Sequence, residues 1–458
     1  MSKLSLGDAT YRRDLGGGLV LRWSTSGDIE KVAQLYSYVF RDSPEQPPNR
    51  FVTSWTRDLM SGRHPLIGPG DFALVEDTDR GAIVAATCLM AHTWEYGGIP
   101  FPVGRPEIVA SDPDYRNRGL VRAVFELIHA RSDGRGDLAQ GITGIPYYYR
   151  QFGYEYALDL GGSRSVYFAA IPQLKPGEAE PYRLRDATPE DLPLVLALYE
   201  RERSRIYNGA PMLVTTRIDE RYWRYTIDGF SPESFEAWRT QLIIGGEDRP
   251  LGYVMTGHRR WDKAMPVFGL VVEPGVSLVA LLPSVLRALQ PQAPGLVSGK
   301  PDAPPPDMIK FVLGRTHPVY DALGEALAPK YEGPYAWYIR VPDLPAFIRH
   351  VAPALERRLA TSPAAGHSGE LRMDFYRGGL RLLFEGGRLA AAEDWRAPIW
   401  TPRAQCGFPP LVFLQLLFGY RSLAELRYAF PDVWADDEVI PLMEALFPPQ
   451  LSYLVPQD

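Results

Sequence analysis

The chain has 458 residues, 45% hydrophobic and 12% aromatic, which is room for three domains of ordinary size with substantial cores. Its formal net charge of −6 argues against a general nucleic-acid binder, which needs a basic face. Cys88 and Cys406 stand far apart and suggest no disulfide framework or metal cluster; Met1 to Gly18 holds no apolar signal region, and no run is apolar enough to span a bilayer, so a cytoplasmic protein is expected.

Leu19 to Trp23 predicts a strand, and Asp28 to Phe40 a helix with Ile29, Val32, Ala33, Leu35 and Tyr36 inward. Phe72 to Val75 and Ala82 to Met90 predict strands joined by a polar turn at Asp77 to Gly81. Ile108 to Ala110 is a further short apolar strand that Pro113 stops. Leu120, Val121, Val124, Phe125 and Ile128 then share one face of a helix running to Ala130, with another strand near Leu138. The pattern is mixed α/β on one central sheet.

Arg116-Asn117-Arg118-Gly119-Leu120-Val121 therefore lies at a helix start, where N–H groups lack intrahelical partners and the helix dipole attracts anions. Arg116 and Arg118 add charge, and Gly119 allows close backbone approach, so the stretch suits a diphosphate. Downstream lies Gly144-Ile145-Pro146-Tyr147-Tyr148-Tyr149-Arg150-Gln151-Phe152-Gly153-Tyr154.

Arg116 and Gly119 resemble the acetyl-coenzyme A loop of the GNAT N-acetyltransferases, with Val121 in place of the usual small residue. The second stretch resembles the segment of that family in which a tyrosine, here Tyr149, precedes Phe-Gly-Tyr by three residues. The resemblance implies acetyl-coenzyme A as acetyl donor. Its pantetheine arm would pair with the edge of Val109, Ala110 and Ser111, and its pyrophosphate would sit on Asn117 to Arg122. It also implies Tyr149 as the acid that protonates the leaving thiolate.

A Pro-rich, charged linker, Ile171 to Pro181, is followed by an internal echo. Asp28-Ile29, Val32 and Leu35-Tyr36 recur as Asp191-Leu192, Val195 and Leu198-Tyr199, with a strand before each helix. Asp79-Arg80-Gly81 is echoed by Asp248-Arg249-Pro250. The second copy has Val271 to Ser277 where the anion loop belongs, without arginine and with Glu273, and is expected to shape a cleft or interface rather than bind cofactor. Pro291 to Pro306 predicts an exposed loop. Leu344 to Leu359 is helical in pattern, with Pro353 expected to kink or split it. Leu371, Met373 and Phe375, then Leu380, Leu382 and Phe384, predict a strand meander with glycine turns, followed by apolar helices at Leu411 to Phe418, Leu423 to Phe430 and Val439 to Phe447. Leu371, Phe375, Leu382 and Phe384 are expected to fill a core rather than hold a lipid.

This order resembles the Eis-type (enhanced intracellular survival) acetyltransferases: a catalytic GNAT domain at 1–175, a degenerate GNAT-like domain at 182–338 and a sterol-carrier-like α+β domain at 339–458. The resemblance implies an acetyl-coenzyme A-dependent N-acetyltransferase acting on a small polyamine-like amine such as an aminoglycoside, with no nucleic-acid or membrane partner, and by analogy a homo-oligomer. It also implies that the tail carboxylate, here at Asp458 in place of the usual aromatic residue, serves as general base. Glu107 or a water relay is the alternative. The competing reading is a non-catalytic acyl-coenzyme A sensor or lipid carrier, which would bind the thioester without releasing thiol.

Overall fold

The computed structural model describes residues 6–300, 303–396 and 403–455. Among these, the strands form a nine-stranded, a seven-stranded and a five-stranded sheet, besides two small pairs. The first sheet opens with β1 (Arg12–Gly16), β2 (Leu19–Trp23), β3 (Phe72–Asp77), β4 (Ala82–Tyr96) and β5 (Ile99–Ser111), each antiparallel to the one before. Between β2 and β3 the chain forms α1 (Ile29–Val39) and α2 (Arg50–Met60). After β5 come α3 (Leu120–Arg135), β6 (Ala139–Ile142) and β7 (Glu155–Leu160). Strand β4 runs on past Met90, because Ala91 to Tyr96 remain paired with Ile99 to Gly104.

The two halves of the repeat exchange strands. Immediately after β7, β8 (Ser163–Tyr167) leaves for the second sheet, through Gly161 and Gly162, both at positive φ. A Cβ at Gly162 would stand 2.7 Å from the carbonyl oxygen of Gly314, so the crossing requires glycine there. The second sheet is built from β9 (Arg183–Asp186), β11 (Trp238–Ile244), β12 (Pro250–Gly257), β13 (Ala264–Val272), β14 (Met308–Phe311) and β15 (Lys330–Glu332). Its order is β15-β8-β14-β13-β12-β11-β9. Around it lie α4 (Leu192–Arg203), α5 (Glu220–Asp228), α6 (Leu278–Leu289) and α7 (Pro318–Leu327). In return, β16 (Tyr335–Arg340) inserts between β6 and β7 of the first sheet, and β10 (Val214–Arg217) pairs with β4. Sheet membership thus crosses the linear boundaries at 175/182 and 338/339.

The repeat has a shared device. Arg22 meets Asp28 at 2.7 Å and Arg185 meets Asp191 at 2.8 Å, and Thr25/Asp28 and Thr188/Asp191 close the same capping box before α1 and α4.

The third unit carries α8 (Leu344–Ala360), β17 (Gly369–Asp374), β18 (Gly379–Glu385), β19 (Arg388–Asp394), β20 (Cys406–Gly407), α9 (Phe413–Leu417), α10 (Leu423–Ala429), β21 (Trp434–Ala435) and α11 (Ile440–Leu446). Helix α8 runs unsplit through Pro353. Asp343 caps its start by accepting from the N–H of Ala346 at 2.9 Å, and Phe347, Ile348, Val351, Leu355 and Leu359 are wholly buried. That packing outweighs the ~3 kcal/mol an internal proline costs. Leu371, Leu382 and Phe384 are also wholly buried, in one core with Trp94, Phe101 and Trp337 of the first sheet. At the predicted loop at 291–306, a short 3₁₀ helix spans Gln290–Gly295, and Val297–Ser298 pairs with Arg259–Arg260.

Candidate active site

Strand β5 is where the site begins. Its parallel pairing with β6 is confined to Val103–Ala139 and Gly104–Gln140; β6 then turns to β16, so β5 from Arg105 onward has an open edge on that side. A bulge interrupts its other edge between Ala86 and Cys88, opposite Glu107 to Ala110, and Ile108 sits there at φ 51. A positive φ at a β-branched residue is strained, and the sheet on one side and the core on the other hold it. The N–H of Asp112 donates to the carbonyl of Val84 at 2.9 Å. Alternation along the strand therefore turns the backbone groups of Ala110 toward β4 and those of Val109 and Ser111 toward the open edge. Ala110 is thus committed to the sheet, contrary to the expectation that all three residues present a free edge.

Past β5, Asp112 caps a single turn and the chain reaches α3 through Arg116, Asn117, Arg118 and Gly119, all exposed. Asn117 and Gly119 have φ of 63 and 76. No side chain caps α3, and nothing lies within 4 Å of a Cβ built on Gly119. The N–H groups of Leu120, Val121 and Arg122 begin the helix, with the Leu120 side chain buried and Val121 half-buried. Arg118 lies over the Tyr115 ring at 4.9 Å, and Arg122 lies over Phe152 at 5.5 Å and donates to Gln151 at 3.2 Å. The residues present fit a pyrophosphate: open backbone donors, flanking guanidinium groups, no obstructing side chain. The equivalent turn of the second copy differs, because Ser277 caps α6 by accepting from the N–H of Ala280 at 3.3 Å.

Tyr149 lies in a short 3₁₀ turn, Tyr148–Phe152, 3% exposed. It packs among Phe125, Tyr148, Tyr154 and Tyr338, with centroids 5.2–6.3 Å away. Burial pushes its phenol well above the ordinary range, and the nearby Glu107 carboxylate adds to this. Tyr338 comes from the exchanged strand β16. Its hydroxyl is 2.6 Å from that of Tyr156, which is 2.6 Å from that of Tyr335.

Tyr149, Val109 and Glu107 line one cavity of ≈ 870 Å³ between the first two sheets. Glu107 is half-buried, pairs with Arg105 at 2.8 Å and accepts from the N–H of Ile108 at 3.2 Å. Asp458 lies outside the described residues. The preceding tail is docked: Tyr453, Leu454 and Val455 are buried, Tyr453 bridges Thr215 in parallel, and the Tyr199 hydroxyl donates to the Val455 carbonyl at 3.0 Å. Sequence reading missed Arg105, Trp55, Phe235, Arg259 and Tyr338. None carries a local motif: Arg105 lies on β5 and Trp55 on α2, the facing of the two sheets brings Phe235 and Arg259 to the cavity, and the strand exchange brings Tyr338 against Tyr149. Among the described residues no group of His, Cys, Asp or Glu could hold a metal, and no helix is long and apolar enough to cross a membrane.

The family model for an acetyltransferase (GNAT) domain matches residues 21–157. No curated protein matches the sequence. Among solved structures, a GCN5-related N-acetyltransferase from Kribbella flavida is 18% identical, with 98% of this chain and 99% of that one covered and a TM-score of 0.60. A conserved protein from Enterococcus faecalis V583, described as a probable N-acyltransferase, is 14% identical, with 95% and 98% covered and a TM-score of 0.63. Eis1 from Mycobacterium abscessus is 15% identical, with 95% and 99% covered and a TM-score of 0.55. At such identities these likenesses establish the fold along nearly the whole chain. Residues 21–157 form a GNAT acetyltransferase domain, and the protein is an acyltransferase enzyme.

Proposed function

We propose that the enzyme transfers an acetyl group from acetyl-coenzyme A to an amine of a small molecule by direct attack on the thioester. One observation carries this: the open edge of β5 and the uncapped start of α3 lead to a cavity lined by Tyr149. In this reading Val109 and Ser111 pair with the pantetheine amides, while the N–H groups of Leu120 to Arg122, with Arg116, Asn117, Arg118 and Gly119, take the pyrophosphate.

An alkylammonium, with a pKa of about 10, must lose a proton before its nitrogen can attack the carbonyl carbon. Glu107, which lines the cavity, and Asp458 are the candidate bases. The tetrahedral intermediate collapses with cleavage of the carbon–sulfur bond. The thiolate takes the Tyr149 proton, leaving amide and free coenzyme A. The resemblance to Eis-type enzymes supports a polyamine-like acceptor, aminoglycosides included, and reads the third unit as a sterol-carrier-like closing domain. The test is thiol release from acetyl-coenzyme A over a panel of amines, with Tyr149→Phe beside the wild type. Release that falls about 10²–10⁴-fold in the variant supports both the reaction and the acid. No release with any amine overturns the reading.

A further inference from the structure

The cavity has a cation that the transfer chemistry leaves unused. Of the basic side chains lining it, Arg105 pairs with Glu107, Lys310 pairs with Glu332, Arg260 donates to the carbonyl oxygens of Asp262, Ala303 and Pro304, and Lys300 is exposed. Arg259 has no such partner. Its guanidinium lies 3.9 Å from the Phe235 ring centre and 4.8 Å from that of Phe51. Its Nε is buried without a hydrogen-bond partner. Among the described residues no carboxylate or carbonyl accepts a hydrogen bond from it, although the Asp42 and Glu236 carboxylates, which line the same cavity, lie near enough to stabilise its charge. Ring faces stabilise the flat sides of a guanidinium and leave its N–H edge unsatisfied, which is costly in a buried place. That edge matches a carboxylate bidentately.

The walls beside Arg259 are aromatic. Trp55 stacks on Phe235 at 5.6 Å, and Trp238 stacks on Phe268 at 5.5 Å, with Trp261 edge-on to Phe268 at 5.3 Å. All five line the same cavity as Tyr149 and Arg259. Flat apolar walls favour an aromatic body.

Resting on the acyl-transfer reading, we propose that the acceptor is an aliphatic amine that carries both an aromatic ring and a carboxylate, the carboxylate held by the Arg259 guanidinium and the ring between the Trp55/Phe235 and Trp238/Phe268 walls. Its amine then faces Glu107 and Tyr149 at the other end of the cavity.

The experiment measures thiol release by the full chain with four acceptors: the dipeptide Phe-Phe, its C-terminal amide, spermidine and kanamycin. Binding of N-acetyl-Phe-Phe, which has no free amine, is followed in parallel by tryptophan fluorescence. The expected result is kcat/KM at least about tenfold higher for Phe-Phe than for its amide, expressed in KM, with the preference lost in Arg259→Gln and partly kept in Arg259→Lys. Equal use of dipeptide and amide, or better use of spermidine or kanamycin, overturns this proposal and leaves amine acetylation standing. Arg259-dependent binding of N-acetyl-Phe-Phe without thiol release from any acceptor supports the ligand class and overturns the transfer reading instead. If Arg259→Gln does not fold, the wild-type ratio of dipeptide to amide decides.

Discussion

The ring of Tyr149 packs edge-on against the ring of Tyr338, their centroids 5.4 Å apart. Tyr338 is wholly buried on β16, and its hydroxyl is within hydrogen-bond distance of the Tyr156 hydroxyl and the Ile145 carbonyl. The candidate acid is thus held by a strand from the far side of the second domain. Tyr338→Phe keeps the ring and loses about 1 kcal/mol of hydrogen bonding, with turnover near wild type. Tyr338→Ala removes the ring, lowers stability by about 3–5 kcal/mol and frees Tyr149 to move, so thiol release falls even where the variant remains folded. Denaturant unfolding alongside turnover checks both. An alanine variant with full turnover would show that Tyr149 is positioned by something else.

Burial raises the phenol pKa of Tyr149, with Glu107 adding to it. A general acid works in its protonated form, so a raised pKa extends its activity to higher pH. Thiol release should therefore show no descending limb from this group between pH 7 and 10. A fall centred near 10 that disappears in Tyr149→Phe would mean that the phenol titrates as an ordinary exposed tyrosine.

Asp28 gives a prediction at the other end of the scale. Its burial disfavours the charge, but the paired Arg22 and the Thr25 N–H and hydroxyl outweigh it and bring the carboxyl from 3.8 to about 2. A depressed pKa contributes stability that is complete above the unfolded value and lost as pH falls through the folded one. About 2 kcal/mol of stability should therefore disappear between roughly pH 4 and pH 2. Asp28→Asn should be less stable than wild type at neutral pH by a similar amount, and the difference should close in that window. A gap that persists at pH 2 would assign the loss to packing rather than charge.

The repeat that contains Asp28 was legible in the sequence because it rests on local pattern: a strand, an aspartate and an apolar helical face recur at fixed spacing, while the Thr25 and Thr188 capping boxes emerge only in the structure. The strand–turn–helix junction from Ser111 to Leu120 and the short turn that holds Tyr149 follow from equally local pattern. The strand exchange does not. Ser163–Tyr167 and Tyr335–Arg340 look like ordinary short strands, and nothing local tells a strand which sheet completes it. Tyr338 meets Tyr149 only through that exchange, and Arg259 and Phe235 reach the cavity only because the two sheets face each other, so none of them had a signal to read. Helix α8 shows the converse, a strong local rule at Pro353 overridden by a buried face.

Gly119 separates backbone strain from electrostatics. Its φ is 76 and a Cβ there meets nothing within 4 Å. Gly119→Ala should thus cost only the left-handed penalty, about 1–2 kcal/mol, and leave acetyl-coenzyme A binding within a few-fold. Gly119→Asp puts a carboxylate among the N–H groups that would take the pyrophosphate and should abolish binding by calorimetry. Equal affinity in both variants would place the pyrophosphate elsewhere.

The base can be assigned by comparing Glu107→Gln with removal of Pro456 to Asp458. Leu451 to Val455 run beside β10: the N–H of Leu213 donates to the Leu451 carbonyl at 2.7 Å, and the N–H of Tyr453 donates to the Val214 carbonyl at 2.8 Å. Because Tyr453 bridges Thr215 in parallel, and β10 pairs antiparallel with β4 from Tyr96 to Thr93, this tail heads toward the part of β4 that pairs with Arg105 and Glu107. Removing Pro456 to Asp458 leaves the anchors at Leu451 and Tyr453 intact, so the unfolding midpoint should match wild type while kcat falls about 10²-fold or more if the tail carboxylate is the base. Glu107→Gln leaves the Arg105 guanidinium buried beside a neutral amide and should lower stability whichever residue is the base. The deciding readout is the acidic limb of the kcat/KM profile, which disappears only in the variant that lacks the base. If both variants keep that limb, proton removal passes through water.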